Sequence, residues 1–195
     1  MRRPMLATTC VMLLTAVALA GCGGSSAPKA LTIAFKSPAV AHSTLPARYT
    51  CDGSNISPPL EWGGVPSTAR ELAVFMLALT PNRATGRYRT SVVWAMAGVN
   101  PGLHRLAAGE VPPGAHVSVT EKGKSQRYSV CPARGHATTY QFALYAVPAG
   151  LQVPSQFVGV KLLELIANPE SSASANAGGS FAASYARPGH AVRHT

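Results

Sequence analysis

Cys51-Asp52-Gly53-Ser54-Asn55-Ile56-Ser57-Pro58-Pro59-Leu60-Glu61-Trp62 divides into two halves with different backbone chemistry. Asp52, Gly53 and Asn55 tolerate the tight or left-handed conformations of a turn. From Ser57 onward each proline pushes its predecessor away from helix, so the second half is extended. Upstream, Leu45-Pro46-Ala47-Arg48-Tyr49-Thr50 is irregular, and Leu31 to Phe35 alternates as a strand does. Downstream, Glu71 to Leu79 is a nearly continuous apolar run of strand length, which predicts a central strand buried on both faces. Thr90–Val99 predicts a second strand, Ala115–Thr120 a weaker one, and Tyr140–Val147 the clearest of all. Only Ser155–Ala167 has helical spacing, with Phe157, Val160, Leu163 and Ile166 on one stripe and Leu162 beside it. Pro154 precedes that segment and Asn168-Pro169 ends it. Residues 170–180 are low in complexity and read as a mobile linker. Phe181–Tyr185 returns as a last strand, before a basic tail. The pattern predicts a strand-rich domain with one helix near its C-terminus.

The first two dozen residues have a different character. Arg2 and Arg3 precede an apolar run from Met5 to Ala20, shorter than the roughly 20 residues of a membrane-spanning helix. A positive start, a short apolar stretch and a small-residue end are the layout of a cleavable export signal. Leu19-Ala20-Gly21-Cys22 looks like the lipobox of bacterial lipoproteins, in which the cysteine sulfur takes a diacylglyceryl group. An ordinary signal peptide with a chance cysteine is the alternative. Gly23-Gly24-Ser25-Ser26-Ala27-Pro28 supplies a flexible tether directly after Cys22. The expected organisation is a signal over 1–21, a lipidated tether over 22–30, a domain over 31–187 and a basic tail over 188–195. The expected location is the extracytoplasmic face of the cell membrane or envelope, held by a Cys22 lipid anchor.

The chain has 17 Lys+Arg against 7 Asp+Glu, an excess that falls to eight without Arg2 and Arg3. A basic surface attracts anionic headgroups and other polyanions, but these positive residues are scattered. Export puts nucleic acid out of reach, so it is excluded as a partner. Cys10 leaves with the signal and Cys22 is lipidated, leaving Cys51 and Cys131 as a candidate disulfide in an oxidising compartment. Two separate buried thiols are the other arrangement open to them.

The 51–62 stretch, with Leu45–Thr50 before it, resembles a motif of the phosphatidylethanolamine-binding protein family, in its bacterial Raf-kinase-inhibitor-like branch. The order of later pieces agrees: an apolar strand ending at Pro81, a Trp94-bearing strand, Cys131-Pro132, then Tyr140–Val147, and finally Ala183-Ser184-Tyr185-Ala186-Arg187. The resemblance covers roughly residues 30–187. It implies an antiparallel β-sandwich with a small anion pocket at one end. The pocket motifs depart from the family. Its Asp-Pro-Asp-x-Pro stretch reads Thr80-Pro81-Asn82-Arg83-Ala84, without either carboxylate. Its His-Trp pair matches Val93-Trp94, its Gly-Pro-x-Pro-Pro stretch Ser129-Val130-Cys131-Pro132-Ala133, and its His-Arg-Tyr Thr138-Thr139-Tyr140. Valine and threonine cannot carry or switch charge as imidazole does. The degenerate pocket is therefore expected to comprise Thr80, Asn82, Val93, Trp94, His136 and Thr138.

No catalytic constellation stands out. Asp52 is the only aspartate, in a turn where capping the backbone is its expected job. Six glutamates lie at wide spacing, which argues against a paired-carboxylate site. The histidines lack metal-ligand spacing with a nearby acid, and His190 and His194 stand four apart in the tail. No cofactor or metal is expected. With its pocket motifs altered, the resemblance implies a non-catalytic binding or inhibitor-like module, and export makes an envelope protein the expected partner. The alternative is a carrier of a lipid headgroup or other small lipid-like ligand.

Overall fold

The alternating run at the start of the domain serves two sheets. The computed structural model describes residues 31–82, 84–168, 175 and 177–189. The expected signal, Cys22 and tether lie outside these residues, as do Arg83, most of the low-complexity segment and the tail from 190. β1 (Leu31–Thr32) pairs in parallel with the last strand, while β2 (Ala34–Lys36) pairs antiparallel with β3 (Leu60–Gly63). Ile33, at the crossing, is buried and its N–H donates to Gly178 O at 2.8 Å. Period-two alternation reports that a segment is extended, not which sheet it joins.

A 3₁₀ turn (Ala47–Tyr49) precedes β3. The chain continues through β4 (Ala69–Asn82), β5 (Arg87–Val99), β6 (Arg105–Leu106), β7 (His116–Val117), β8 (Ala137–Pro148), α1 (Gly159–Ala167) and β9 (Ala177–Ala186). The large sheet runs β1-β9-β8-β4-β5-β7, antiparallel except for β1 with β9; the small one runs β2-β3-β6. The expected β-sandwich with one C-terminal helix is the fold found.

β4 shows why its run is apolar throughout. Leu72, Val74 and Met76 face the small sheet, packed with Phe35, Trp62, Trp94, Met96 and Phe142. Ala73, Phe75 and Leu77 face the helix, with Phe157, Leu162 and Ile166. Both faces are covered, so alternation disappears. The helix begins at Gly159, four residues later than its spacing suggested, so its buried stripe is Gly159, Leu162 and Ile166 while Val160 is exposed. Gly159 sets that start: a Cβ there would stand 3.1 Å from Val92 Cγ1 and 3.2 Å from Ala95 Cβ.

The low-complexity segment is also corrected. Ala177–Ser180, expected within a mobile linker, open β9 and pair with Ala143–Tyr145 of β8 and with β1. Glycine is required there because a Cβ on Gly179 would lie 2.1 Å from Ile33 O. Packing of backbone on backbone turned an apparently featureless sequence into a strand.

β4 and β5 outrun their neighbours. The last β4–β8 pair is Leu79 with Thr139, whereas β4–β5 pairing continues to Asn82 with Arg87. Pro81, which has no N–H to give a third strand, stands just past that last pair. The result is a two-stranded arm in which Thr80–Asn82 and Ala84–Ser91 are all solvent-exposed.

Candidate functional site

The turn over residues 51–57 ties three loops together. Gly53 packs against the 3₁₀ turn so closely that a Cβ would meet Arg48 Cα at 2.5 Å and Ala47 O at 2.7 Å. Thr50, not Asp52, supplies the local cap: its Oγ1 donates to Ala47 O at 2.8 Å and accepts from Asp52 N at 3.2 Å. Asn55 (φ +51°) accepts from Val130 N at 3.2 Å and donates to Ser129 Oγ at 3.3 Å. Ser57 Oγ accepts from Gly109 N at 3.2 Å. Cys51 N donates to Val130 O at 3.0 Å, and Cys51 and Cys131 are joined, with Cα atoms 5.3 Å apart. The expected bridge is thus present, closing a sequence separation of 80.

Beside this knot lies a solvent-open cleft of about 590 Å³. Its floor includes Trp94 and Tyr128, whose rings meet edge-on at 5.8 Å, and Ile56, Val111 and Val117 contribute apolar wall. Arg127 and Ser129 supply polar lining, and the exposed Arg127 has no acidic partner among the described residues. The Tyr128 hydroxyl is buried without a hydrogen-bond partner among the described residues, and burial, then the neighbouring Tyr140 and Tyr49 phenols, push its pKa well above the ordinary tyrosine value. Its phenol therefore stays neutral and able to donate. An aromatic floor with Arg127, Glu110 and several hydroxyls around it can hold an apolar body with a polar end.

The second polar cluster is internally satisfied. Asp52 accepts from Tyr185 Oη at 2.7 Å and from Arg187 Nε at 3.1 Å. The Tyr185 hydrogen bond, joined by Arg187 and opposed by partial burial, holds the Asp52 carboxyl below its ordinary pKa. Arg187 also reaches Cys131 Sγ at 3.2 Å and Pro132 O at 3.3 Å. The sole aspartate thus clamps the end of β9 to the disulfide rather than capping its own turn.

The residues expected to form the degenerate pocket are spread along the sandwich. Thr80 and Asn82 lie on the exposed arm. Val93 is the unopposed residue of a bulge between the pairs Met76–Trp94 and Leu77–Val92. Thr138 hydrogen-bonds the Tyr140 phenol, which also meets the Cys131 backbone. His136 is exposed in a turn, where its carbonyl accepts from Arg187 N at 2.9 Å. Trp94 alone of the six lines the cleft. Tyr128, Arg127 and Ser129 join it there; Ser129 is legible in the sequence only as the start of an altered pocket motif and Tyr128 not at all, because no local pattern brings 127–129 onto Trp94. Arg187 was legible as the end of the closing Ala183–Arg187 stretch but not as a partner of Asp52; the lone aspartate's need for a cationic partner was the available signal.

A sandwich of this topology, with the 51–62 turn knotted to a strand-end disulfide, defines a class, and comparison with known proteins gives the family. The family model for phosphatidylethanolamine-binding protein matches residues 36–182. The chain belongs to that family. It is 33% identical over 194 residues to "Putative lipoprotein LppC" of Mycobacterium tuberculosis, covering 88% of this chain and 92% of that protein. It is 34% identical over 111 residues to a UPF0098 protein of Methanothermobacter thermautotrophicus, covering 56% of this chain and 72% of the relative. Among solved structures it is similar to a phosphatidylethanolamine-binding-protein homologue, CT736 of Chlamydia trachomatis. The TM-score is 0.63 at 23% identity, over 82% of this chain and 99% of that one. E. coli YbcL, described as a member of the mammalian family, matches with a TM-score of 0.62 at 21% identity, over 79% and 98%.

Proposed function

We propose that this protein is a non-catalytic, lipid-anchored module of the cell envelope that acts by binding another protein, in the manner of an inhibitor. The observation that carries this reading is the dispersal of the pocket positions. Thr80 and Asn82 stand in solvent on the arm, Val93 sits in a bulge, and Thr138 is engaged with Tyr140. The Asp52–Arg187 pair at this end of the sandwich is spent on fastening β9 to the disulfide. Likeness to a relative whose name includes "lipoprotein", together with Leu19-Ala20-Gly21-Cys22, supports an anchor at Cys22. Its membrane partner is then the bilayer holding the acyl chains.

The cleft on Trp94 and Tyr128 favours a second reading, a carrier of a small amphipathic ligand. Native mass spectrometry of the purified lipoprotein with phosphate, phosphoethanolamine and short-chain phospholipids, beside photo-crosslinking in intact envelopes, separates the two. A defined crosslinked protein with a clean apo mass under every addition supports the interaction module. A saturably bound small molecule, lost on Val117→Trp, overturns it in favour of the carrier.

A further inference from the structure

The arm carries an open strand edge with its own charge. Among the described residues the outer edge of β5 is covered only near its end: β7 pairs at Met96–Ala97, Ser118 N reaches Ala95 O at 2.9 Å, and Gln126 Nε2 reaches Val92 O at 2.9 Å. From Ser91 out to Arg87 no strand among the described residues pairs with that edge, and every residue is exposed. The arm's other edge carries Pro81, which cannot complete a ladder. One edge is therefore blocked and one is available.

Side chains along that free edge alternate. Arg87, Arg89 and Ser91 share one face, while Tyr88, 66% exposed, stands on the other beside its cross-strand partner Pro81. No acidic residue occurs between Leu72 and Gly109, and neither arginine has an ion-pair partner among the described residues. Arginines on an edge disfavour a second copy of the same edge, because antiparallel self-pairing about Arg89 sets guanidinium against guanidinium. They favour a strand of opposite charge.

The arm also lies far from the start of the domain. Thr32 is level with Gly178, Tyr145 and Ala73 across the sheet, and Asn82 is nine residues further along β4, about 30 Å at strand rise. An anchor at Cys22 would therefore join the domain at the opposite end of the sheet from the arm.

We propose that the Arg87–Ser91 edge is a docking surface for an extended acidic segment of another envelope protein, which adds to β5 as a further strand. This rests on the interaction-module reading and names its surface. Backbone pairing would supply the affinity, and the arginines would select the acidic sequence.

The test uses the full lipoprotein in detergent micelles with a ten-residue peptide alternating glutamate and threonine. Its lysine counterpart, the two alternately N-methylated glutamate versions and vesicles rich in anionic lipid serve as comparators. The expected result is amide exchange at 87–91 slowed at least about tenfold by the glutamate peptide alone, and lost in Arg87→Glu/Arg89→Glu, whose exposed sites leave the melting temperature unchanged. Equal binding of both methylated peptides reduces the effect to bulk charge and overturns the proposal. Protection at 87–91 by vesicles but not by peptide overturns it in favour of a lipid surface. Absence of protection with envelope crosslinks still formed from the Trp94 cleft overturns the arm while leaving the interaction module standing.

Discussion

Gly179 meets the carbonyl of Ile33 with no room for a methyl group, whereas nothing lies within 4 Å of the Cβ position on Gly63. Gly179→Ala is therefore expected to cost about 1–3 kcal/mol or more through forced separation of β9 from the Ile33 crossing. Gly63→Ala should stay within about 0.5 kcal/mol. Urea midpoints of the two variants decide it, and equal midpoints would remove the close-approach explanation for the glycine-rich start of β9. The two perturbed carboxyls act in opposite senses with pH. Asp52, held below the ordinary aspartate value by Tyr185 and Arg187, contributes stability that is present above that ordinary value and lost as pH falls through the folded one. Glu71 is raised above 4.5, first by burial and against the Gly98 N–H that donates to it at 3.1 Å. Its ionisation therefore weakens the fold as pH rises through the folded value. Asp52→Asn should flatten the acid limb of the stability profile below about pH 4. Glu71→Gln, which keeps the acceptor for Gly98, should leave neutral-pH stability equal or higher. A steeper acid limb in the first variant, or a clear loss at neutral pH in the second, contradicts these assignments.

At the scale of elements, the disulfide and the arm make contrasting claims. Cys51–Cys131 closes a long loop between the turn knot and the start of β8. The chain-entropy model gives about 4–5 kcal/mol for a loop of about 80 residues. Cys51→Ser and Cys131→Ser should destabilise alike, and the double variant should add little, because each breaks the same bond. Strongly unequal single variants would mean that the residues act separately. The arm contributes no residue to either buried cluster. Replacing Thr80–Arg89 by Asn-Gly, which joins the paired residues Leu79 and Thr90 through a two-residue hairpin turn, should shift the melting temperature by only a few degrees. The same variant should lose any binding that depends on the edge. A collapse in stability would mean that the arm supports the sheet. The strands that were legible beforehand, β4, β5 and β8, are those whose side chains are buried on one or both faces. β7 was legible only as the weaker Ala115–Thr120 run and β6 not at all, because two-residue strands take their pairing from the strands beside them. The Ala177–Ser180 part of β9 gave none, because small side chains mark the close approach of other backbone rather than a hydrophobic face.

For the whole molecule, the resemblance of the 51–62 stretch carried the family and the sandwich, while the residues themselves marked the central position of β4, two cysteines left as a candidate pair and a lipobox-like start. Those marks are local chemistry: proline and glycine spacing, continuous hydrophobicity, the number of cysteines. Tertiary structure alone decided that Leu31–Lys36 is shared between two sheets, that the helix waits for Gly159, and that Asp52 reaches across to Tyr185 and Arg187, 133 and 135 residues away. It also decided that Thr80–Asn82 leaves the end of the sandwich as an exposed arm while Trp94 joins Tyr128 to floor a cleft. These outcomes depend on which surfaces meet once the sheets close. A side chain's partner across the sandwich is fixed by register, bulges and the room a neighbouring backbone leaves, and none of these is a property of the residues immediately beside it in the chain.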